Sequence, residues 1–472
     1  MGGPTTTSSP GRRARRGRGA RLMLATGAAL LLTLLFAATA EAAKSGKLLY
    51  AKRIGGTSTT EAGAYAVAAG PKGVTALAGA QGKSGIFHPM VAKYTGAGKR
   101  VWLKRYTVVD QGSADDVAFD RRGNVYVAAT VYSGATPDIV VLKYSASGTL
   151  LWATKPYDGG EQDYDGAVKL AVDAKGDVVV LGQSAHVGGM GIVVLKYKKK
   201  SGKPAWAEPT RWVSPQDIFW AADLALDGEG DIYVACSTSS GGFSRALIWK
   251  ARGSDGQKSG GWHYVPRHGD SSSFHALTVR GSSVVATGSA WTKGVDDSTN
   301  ALVAKYDRGL QEKAWKEWGV GNKSEEWFNA AVIDAKGSVF LTGRQWVEGE
   351  YSKAVTMKLN AKLKTVWSKT YMPASKYALG WYIARDGAGD IYVGGYEGFS
   401  AVQPPKSLLT IKYSAAGARK WARAWTPGSG GSVDGEHGPA GLVLGSKDGV
   451  YIGGRAKSKG GGGQAVLLKY RR

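Results

Sequence analysis

Residues Asp115–Tyr157 read DDVAFDRRGNVYVAATVYSGATPDIVVLKYSASGTLLWATKPY, and this stretch decides the fold. Short runs rich in Val, Tyr and Ile alternate with turn-forming residues, a pattern that predicts four short strands in succession. Versions of the stretch recur from about residue 47 to residue 470. The sequence therefore predicts an all-β protein built from one repeated four-stranded unit.

Two landmarks make the period of the repeat measurable. The first is a Lys-Tyr pair that closes an apolar run, and it or a degenerate copy ends at Tyr94, Tyr144, Tyr197, Lys250, Tyr306, Leu359, Tyr413 and Tyr470. The second is an aromatic residue 8 to 12 positions later, at Trp102, Trp152, Trp206, Trp262, Trp315, Trp367 and Trp421. Successive Lys-Tyr pairs lie 50 to 57 residues apart. This period, with four strands per unit, is typical of a β-propeller blade.

A turn motif supports the same interpretation. Five repeats carry Asp-x-x-Gly between two strands, at residues 120–123, 173–176, 227–230, 334–337 and 386–389. Asp at the first position and Gly at the fourth suit a type I turn, because the Asp side chain caps the turn amides. The residues that follow, such as NVYVAAT, alternate as a strand does.

Together these motifs resemble the bacterial SBBP-type β-propeller repeat. The resemblance covers roughly residues 47–470 and is best in Asp115–Trp152, Tyr164–Trp206 and Ala378–Trp421. The repeat that begins near Ser272 departs from the pattern, because its turn is Arg-Gly-Ser at residues 280–282 and lacks the Asp. The family is defined by its architecture, so the resemblance implies a propeller fold and no catalytic residues.

The two ends of the repeat region are incomplete in complementary ways. Lys47–Ile54 (KLLYAKRI) matches the Trp-bearing strand but has no preceding strands, and Leu467–Tyr470 is a Lys-Tyr strand with no Trp-bearing strand after it. We therefore expect eight four-stranded blades in one domain over residues 43–472, with the N-terminal strand closing the last blade and removing an exposed edge. The predicted units begin near Glu61, Asp115, Tyr164, Asp217, Ser272, Glu325, Ala378 and Asp434.

The first 42 residues have the composition of a secretory signal peptide. Six Arg lie between residues 12 and 21, Leu22–Leu35 is apolar, and small-residue cleavage sites follow at residues 38–40 and 40–42. We expect export by the general secretory route, with the twin-Arg route as the less favoured alternative. No later apolar run is long enough to span a bilayer. The predicted location is extracytoplasmic, secreted or associated with the cell envelope, and a retained N-terminal anchor is the alternative.

The chain is strongly basic, with a net charge of +25. Such a surplus favours anionic partners such as envelope polymers or acidic glycans, or a protein partner. Nucleic acid is disfavoured by export and by the lack of a recognition motif. The recurring Lys of the Lys-Tyr pair is expected on an outer strand face, where it would discourage edge pairing. The single cysteine, Cys236, lies in a strand-like run and predicts a buried thiol in a monomeric protein.

The sequence contains no motif that names a reaction. The acidic clusters lack EF-hand spacing, and Asp227–Asp231 is explained as a turn. The six histidines show no metal-ligand spacing: His88, His186, His263, His268, His275 and His437. Nucleophile-elbow, phosphate-loop and dinucleotide motifs are absent from the sequence. We predict no metal, no cofactor and no catalytic residue, although carboxylates paired in space for glycoside hydrolysis cannot be recognised from sequence.

The start of each innermost strand is the predicted site, because these strand ends open at one mouth of the channel. Counting five places back from the turn gives Tyr65, Asp115, Val168, Ala222, His275, Asn329, Trp381 and Ala440. The larger or polar members form the predicted ligand-binding set: Tyr65, Asp115, His275, Asn329 and Trp381. A water-filled channel with drifted residues is the alternative.

The function predicted from the sequence is an exported binding or interaction module with an anionic or glycan-like ligand. The alternative is an enzyme with its site at the channel mouth, either a hydrolase or lyase or a quinoprotein-like dehydrogenase. A fold alone does not decide between them.

Overall fold

A computed structural model describes most of the chain. The described residues are 1–3, 45–57, 59–160, 164–186, 189–214, 217–264, 271–291, 298–321, 323–349, 351–398, 405–428, 431–433, 439–446, 448–458 and 461–472. The chain divides into two units, Met1–Lys47 and Leu48–Arg472. Most of the predicted signal peptide lies outside the described residues, as do His268 and His437. Among the described residues, no helix has the length and apolar composition that crossing a membrane requires.

The second unit consists of short strands joined by turns, with one 3-10 turn at Pro71–Gly73 among its described residues. After β1 (Leu48–Gly55), the strands follow in groups of four that we call repeats. Repeat 1 comprises β2 (Glu61–Ala69), β3 (Thr75–Lys83), β4 (Ile86–Tyr94) and β5 (Arg100–Arg105). Repeat 2 comprises β6 (Gln111–Phe119), β7 (Val125–Tyr132), β8 (Pro137–Tyr144) and β9 (Leu150–Ala153). Repeat 3 comprises β10 (Asp165–Val172), β11 (Val178–His186), β12 (Gly189–Tyr197) and β13 (Thr210–Trp212).

The following repeats have the same order. Repeat 4 comprises β14 (Ile218–Leu226), β15 (Ile232–Ser240), β16 (Phe243–Ala251) and β17 (Lys258–Tyr264). Repeat 5 comprises β18 (Ser271–Arg280), β19 (Ser283–Trp291), β20 (Thr299–Tyr306) and β21 (Glu312–Trp318). Repeat 6 comprises β22 (Ser324–Ile333), β23 (Val339–Val347), β24 (Lys353–Leu359) and β25 (Thr365–Tyr371). Repeat 7 comprises β26 (Ala378–Arg385), β27 (Ile391–Glu397), β28 (Ser407–Tyr413) and β29 (Arg419–Trp425). The chain ends with β30 (Ser432–Val433), β31 (Gly441–Leu444), β32 (Gly449–Lys457) and β33 (Gly463–Arg471).

Strand pairing joins these strands into seven sheets, one fewer than the eight separate blades predicted from the sequence. Repeats 1, 2, 3, 4 and 7 each form a four-stranded antiparallel sheet. Repeats 5 and 6 share one sheet, because a parallel bridge between Thr299 and Glu325 joins their strands β20 and β22. In the terminal sheet β1 pairs with β33, β33 with β32, and both β30 and β31 pair with β32. The predicted all-β fold with four-stranded units is confirmed.

The recurring Lys of the Lys-Tyr pair is buried in four repeats and half-buried in the others, so its predicted position on an outer face is wrong. Five of these lysines donate a hydrogen bond from Nζ to a carbonyl in the hairpin turn of another repeat: Lys93 to Ala146 (2.9 Å), Lys143 to Lys199 (2.6 Å), Lys196 to Gly253 (2.8 Å), Lys305 to Ala361 (2.9 Å) and Lys469 to Gly96 (2.6 Å). The prediction failed because both faces of strands such as β8 are covered by neighbouring sheets. Alternation along such a strand does not indicate an exposed face. The lysines connect neighbouring sheets.

The landmark tryptophans reinforce the same contacts. The indole Nε1 of Trp102, Trp152 and Trp206 donates to the same carbonyls that accept from the lysines, those of Ala146, Lys199 and Gly253. The ring of Trp102 lies flat on the next hairpin turn, where a Cβ on Gly148 would be 2.8 Å from the indole. Only glycine permits this approach. Tryptophan packing between repeats therefore accounts for the tryptophan pattern.

The hydrophobic core lies between neighbouring sheets. One cluster, for example, joins Val91 of repeat 1 to Val127 and Leu142 of repeat 2. Cys236 is buried in another such cluster, as the sequence predicted, and burial raises the pKa of its thiol. Apolar contact between sheets holds each repeat against the next.

Candidate functional site

The predicted mouth positions coincide with a structural irregularity of the inner strands. In seven inner strands the pairing register shifts by one residue, and the skipped residues are Tyr65, Asp115, Val168, Ala222, His275, Asn329 and Trp381. Ala440 directly precedes β31, and its amide donates to the carbonyl of Gly453. A β-bulge changes the direction in which its side chain points. The positions counted back from the turn therefore coincide with bulges that were not predicted from the sequence.

Several bulge side chains are already bonded to the next repeat. The Asn329 amide Nδ2 donates to the carbonyl of Gly380 at 2.9 Å. His275 makes a hydrogen bond with the backbone of Phe328, and its Nε2 lies 2.9 Å from the Ser273 hydroxyl. Burial lowers the pKa of His275 to about 4, so the imidazole is neutral at physiological pH. Each of these two side chains therefore contacts the backbone of the next repeat.

Asp115 occupies the equivalent position in repeat 2 and is held by three hydrogen bonds. Its Oδ1 accepts from the Ser113 hydroxyl at 2.6 Å, and its Oδ2 accepts from the Thr130 amide (2.8 Å) and hydroxyl (2.6 Å). The Thr130 hydroxyl in turn accepts from the Ala167 amide in repeat 3. Burial raises the pKa of Asp115 to about 7, although these hydrogen bonds oppose the shift.

Of the predicted site residues, Asp115 alone lines the cavity described next. Asp115 lines a cavity of about 360 Å³ between repeats 1, 2 and 3, which we call the Asp115 cavity. Tyr65, His275, Asn329 and Trp381 are not among its lining residues. The Tyr65 ring instead lies 5.2 Å from the guanidinium of Arg455 in the terminal sheet, and Trp381 is half-buried in β26. Each of the five residues occupies the equivalent bulge position on the first strand of a different repeat.

The chemistry of the Asp115 cavity suits binding better than hydrolysis. Asp115 is the only carboxylate among its described lining residues, and none of them is cationic. Glycoside hydrolysis requires two carboxyl groups on either side of the scissile bond. The described lining therefore lacks the pair that the predicted hydrolase alternative needs.

A charged cluster that was not predicted from the sequence lies one residue beyond the bulges. It consists of Asp116, Lys169, Asp223 and Tyr382, each the first paired residue after a bulge. Asp116 raises the pKa of Lys169 despite its burial, with Asp223 and Tyr382 contributing. Asp116 and Asp223 also accept from the amides of Leu170 and Leu277 in the following repeats, at 2.9 and 2.8 Å. Shifting the alignment by one place would have identified these positions.

A second cavity lies at the opposite end of the strands of repeats 2 and 3. It has a volume of about 700 Å³ and is lined by six cationic side chains, which define what we call the basic groove: Arg121, Arg122, Lys143, Lys175, Lys199 and Lys200. Five of these side chains are exposed, while Lys143 is buried against Trp152. Lys199 and Lys200 lie together in one hairpin turn of repeat 3. Their convergence with Arg121 and Arg122 depends on how two repeats pack.

The carboxylates at the basic groove are engaged by the protein. Asp120 accepts from the amides of Arg122 and Asn124, and Asp173 forms a 2.9 Å ion pair with Lys196. Within the described part of the chain, no ion pair joins the exposed cations of the groove to a carboxylate. The Lys199 ammonium instead donates to the backbone carbonyl of Lys175, which leaves the positive charge of the groove without a neutralising carboxylate.

Two groups of carboxylates come close enough to bind a cation, and no ion is assigned to either. Asp138, Asp158 and Asp165 meet from three separate segments, which no sequence spacing could reveal. Asp227, Glu229 and Asp231 form the other group, and their charge is offset by Arg308 and Lys250. Exposed acidic groups of this kind are common without an ion, so these groups carry no functional conclusion.

The raised pKa of Asp115 predicts a pH dependence of folding stability. A carboxyl whose pKa is about 7 when folded and 3.8 ordinarily stabilises the fold fully below pH 4, and this contribution is lost as the pH rises through 7. The ceiling is about 4 kcal/mol, and partial exposure of the side chain makes about 2 kcal/mol the expected value. In urea unfolding between pH 4 and 8, Asp115→Asn should show a flatter decline than wild type. The exposed Asp110→Asn is the control, and parallel curves for Asp115→Asn and wild type would contradict the assignment.

Comparison with known proteins supports the architecture alone. No protein-family model matches the sequence, and no curated protein matches it. Among solved structures, the Dos1 propeller is 12% identical with a TM-score of 0.51, over 89% of this chain and 94% of its own. The quinohemoprotein alcohol dehydrogenase from Comamonas testosteroni is 12% identical with a TM-score of 0.50, over 90% of this chain and 77% of its own. The fold is a β-propeller. At such identity the likeness extends to the fold and not to activity.

Proposed function

We propose that this β-propeller is an exported binding module that attaches to an anionic polymer of the cell envelope through the basic groove. The observation that carries the proposal is the convergence of Arg121, Arg122, Lys175, Lys199 and Lys200 on one groove without carboxylate partners among the described residues. A groove lined by charges of one sign raises the local concentration of oppositely charged ligands. Export rests on the signal-peptide pattern of the first 42 residues.

The groove favours an extended polyanion over a small anion. The cations come from three separate turns: the Asp-x-x-Gly turns of repeats 2 and 3, and the hairpin turn that contains Lys199 and Lys200. A cavity of about 700 Å³ is larger than one phosphate or carboxylate group requires. Half-exposed Leu151 and Trp152 add apolar surface beside the cations, which suits the carbon skeleton of a sugar. An acidic glycan matches this combination.

The proposal includes a closed ring of eight blades. Repeats 5 and 6 are connected by the single bridge between Thr299 and Glu325, and each has the strand order of the other repeats, so we count them as two blades. Three contacts support closure by β1. β1 pairs with β33 from Leu48 to Gly55, and Tyr50 lies on Gly98 as Trp102 lies on Gly148. Lys469 donates to Gly96 of repeat 1, as Lys93 donates to Ala146 of repeat 2.

Reversing two groove charges tests the proposed function. Arg121→Glu/Lys200→Glu should weaken binding to polygalacturonate roughly tenfold or more at low salt, because each reversal replaces an attraction with a repulsion. Wild-type binding should fall steeply as salt rises to about 0.5 M, since exposed charges are then screened. Biolayer interferometry with immobilised polymer measures both effects, with uncharged dextran as the reference ligand.

A matched variant separates the groove from net charge. Lys362→Glu/Lys364→Glu changes the net charge by the same amount on the exposed hairpin turn of repeat 6. This variant should retain polygalacturonate binding within about twofold, because only long-range attraction changes. Equal losses in the two variants would show that overall charge and not the groove binds the polymer. Salt-independent binding would also count against the proposal.

A further inference from the structure

The Asp115 cavity is a second built site, distinct from the basic groove. The two lie at opposite ends of the same strands: Gln111 and Tyr132 pair at one end of the β6–β7 hairpin, and Phe119 and Val125 pair at the other. The Asp115 cavity includes Gln111 and Tyr132, and the basic groove includes Phe119. A ligand in one site therefore does not touch the other, so each can be tested alone.

Aromatic rings from three repeats surround the Asp115 cavity. Phe87 comes from β4, Tyr132 ends β7, and Tyr164 directly precedes β10. Tyr164 is 44% exposed and lies over Gly166, where a Cβ would collide with the tyrosine hydroxyl. Glycine at position 166 thus allows the Tyr164 ring to lie along the strand and present its surface to the cavity. Aromatic faces pack against the C–H groups of a flat, partly apolar ligand, and the tyrosine hydroxyls can hydrogen-bond at its edge.

The polar groups of the cavity suit hydroxyl groups on a ligand. Above its pKa of about 7 the Asp115 carboxyl is ionised and has about four acceptor positions, and three hydrogen bonds from Ser113 and Thr130 leave about one for a ligand. Gln111 can both donate and accept. Because Ser113 and Thr130 hold the carboxylate in place, a ligand hydroxyl would meet a fixed acceptor and order few new side chains.

The charge and volume of the Asp115 cavity further limit the class of ligand that it can bind. The described lining contains Asp115 and no cationic side chain, so an anion would be repelled where a neutral ligand would not. The volume of about 360 Å³ lies near the small end of the range for ligand cavities, about 300–1,000 Å³. A ligand that is small, uncharged, rich in hydroxyl groups and apolar on its ring faces fits these constraints.

We propose that the Asp115 cavity binds one pyranose unit of an uncharged saccharide, with the aromatic rings packed on the sugar and Asp115 accepting from a sugar hydroxyl. The site differs in ligand class from the basic groove, which takes a polyanion. A protein with both sites can hold an acidic polymer at one end of its strands and a neutral sugar at the other.

The test uses uncharged oligosaccharides at high salt, where the basic groove is screened. A panel of neutral hexasaccharides of glucose, mannose, galactose and N-acetylglucosamine is titrated into the full chain by calorimetry in about 0.5 M salt. At least one sugar should bind, with Tyr164→Ala weakening it about tenfold or more and Asp115→Asn about fivefold. Tyr164→Phe should lose less than Tyr164→Ala, because it keeps the ring.

Two controls separate loss of the sugar site from failure of the basic-groove proposal and from unfolding of a variant. Arg121→Glu/Lys200→Glu should bind the neutral sugar as wild type does, so failure of the groove proposal leaves this result unaffected. Each variant is first shown to unfold cooperatively. We expect the Tyr164 variants to do so because the Tyr164 side chain is exposed. Absence of binding by the whole panel, or unchanged affinity in both Tyr164→Ala and Asp115→Asn, would overturn the proposal.

Discussion

Removal of β1 should abolish cooperative unfolding of the propeller. A variant that begins at residue 56 lacks the strand that pairs with β33 from Leu48 to Gly55. The loss exposes the edge of β33, and it uncovers apolar surface that Ile54 buries against Leu77 and Leu467. An unpaired, apolar edge strand is a template for aggregation. We expect soluble aggregates by size-exclusion chromatography and no single sharp transition in calorimetry.

Two controls, a longer variant and a synthetic peptide, test whether the effect comes from the loss of β1 itself. A variant that begins at residue 47 retains the whole strand and should melt as the protein without its first 42 residues does. A synthetic peptide of residues 47–56, added to the shorter variant, should restore a cooperative transition by pairing with β33. If the shorter variant melts like the longer one, β1 does not close the ring and the proposed eight-bladed closure is wrong.

The second large effect is expected at Lys196. Its Nζ lies 2.9 Å from Asp173 Oδ2 and donates to the Gly253 carbonyl at 2.8 Å, and both side chains of the ion pair are less than a tenth exposed. Lys196→Met leaves the Asp173 carboxylate buried without its counter-charge. Such a change costs about 3–5 kcal/mol of folding free energy. Urea or guanidinium unfolding at neutral pH measures it.

Two further variants separate the buried charge from the lost packing. The double variant Lys196→Met/Asp173→Asn also removes the Asp173 carboxylate that Lys196→Met leaves buried and unpaired. It should therefore recover much of the lost stability. Lys412 has the equivalent position in repeat 7, but it pairs with Asp390, the residue after the Asp-x-x-Gly turn. These two side chains are 12% and 24% exposed, so Lys412→Met should cost less. Equal costs for Lys196→Met and Lys412→Met would show that burial of the charge does not set the cost at Lys196.

Local patterns in the sequence picked out equivalent positions on successive repeats, but they predicted neither the bulges nor the contacts that the bulged residues make. Asp115, His275 and Asn329 are each bulged because each lies at a fixed distance from a turn, and that distance is a property of one repeat. Whether the side chain then faces a cavity depends on the next repeat. His275 and Asn329 bond to that repeat, whereas Asp115 lines a cavity that Phe87 and Tyr164 complete from two other repeats. A pattern within one repeat carries no information on this difference.

The sequence by itself determined the strands, the turns and the repeat. Alternation within each strand, the Asp-x-x-Gly turns and the 50 to 57 residue period are all set by residues close together in the chain, and local propensity acts over that range. The complementary half-units at the two ends also indicated that β1 and β33 belong in one sheet, and the structure pairs them.

Only the tertiary structure decided what is buried, bonded and brought together. The Lys-Tyr lysines resemble surface residues in the sequence, but sheets cover both faces of their strands and remove much of each lysine from solvent. Backbone carbonyls of the neighbouring repeat accept hydrogen bonds from their ammonium groups. Repeats 5 and 6 share a sheet because of one bridge that no periodicity encodes. The basic groove and the Asp115 cavity each form where repeats about fifty residues apart pack together. Long-range packing between repeats sets these features, and no single stretch of sequence encodes that packing.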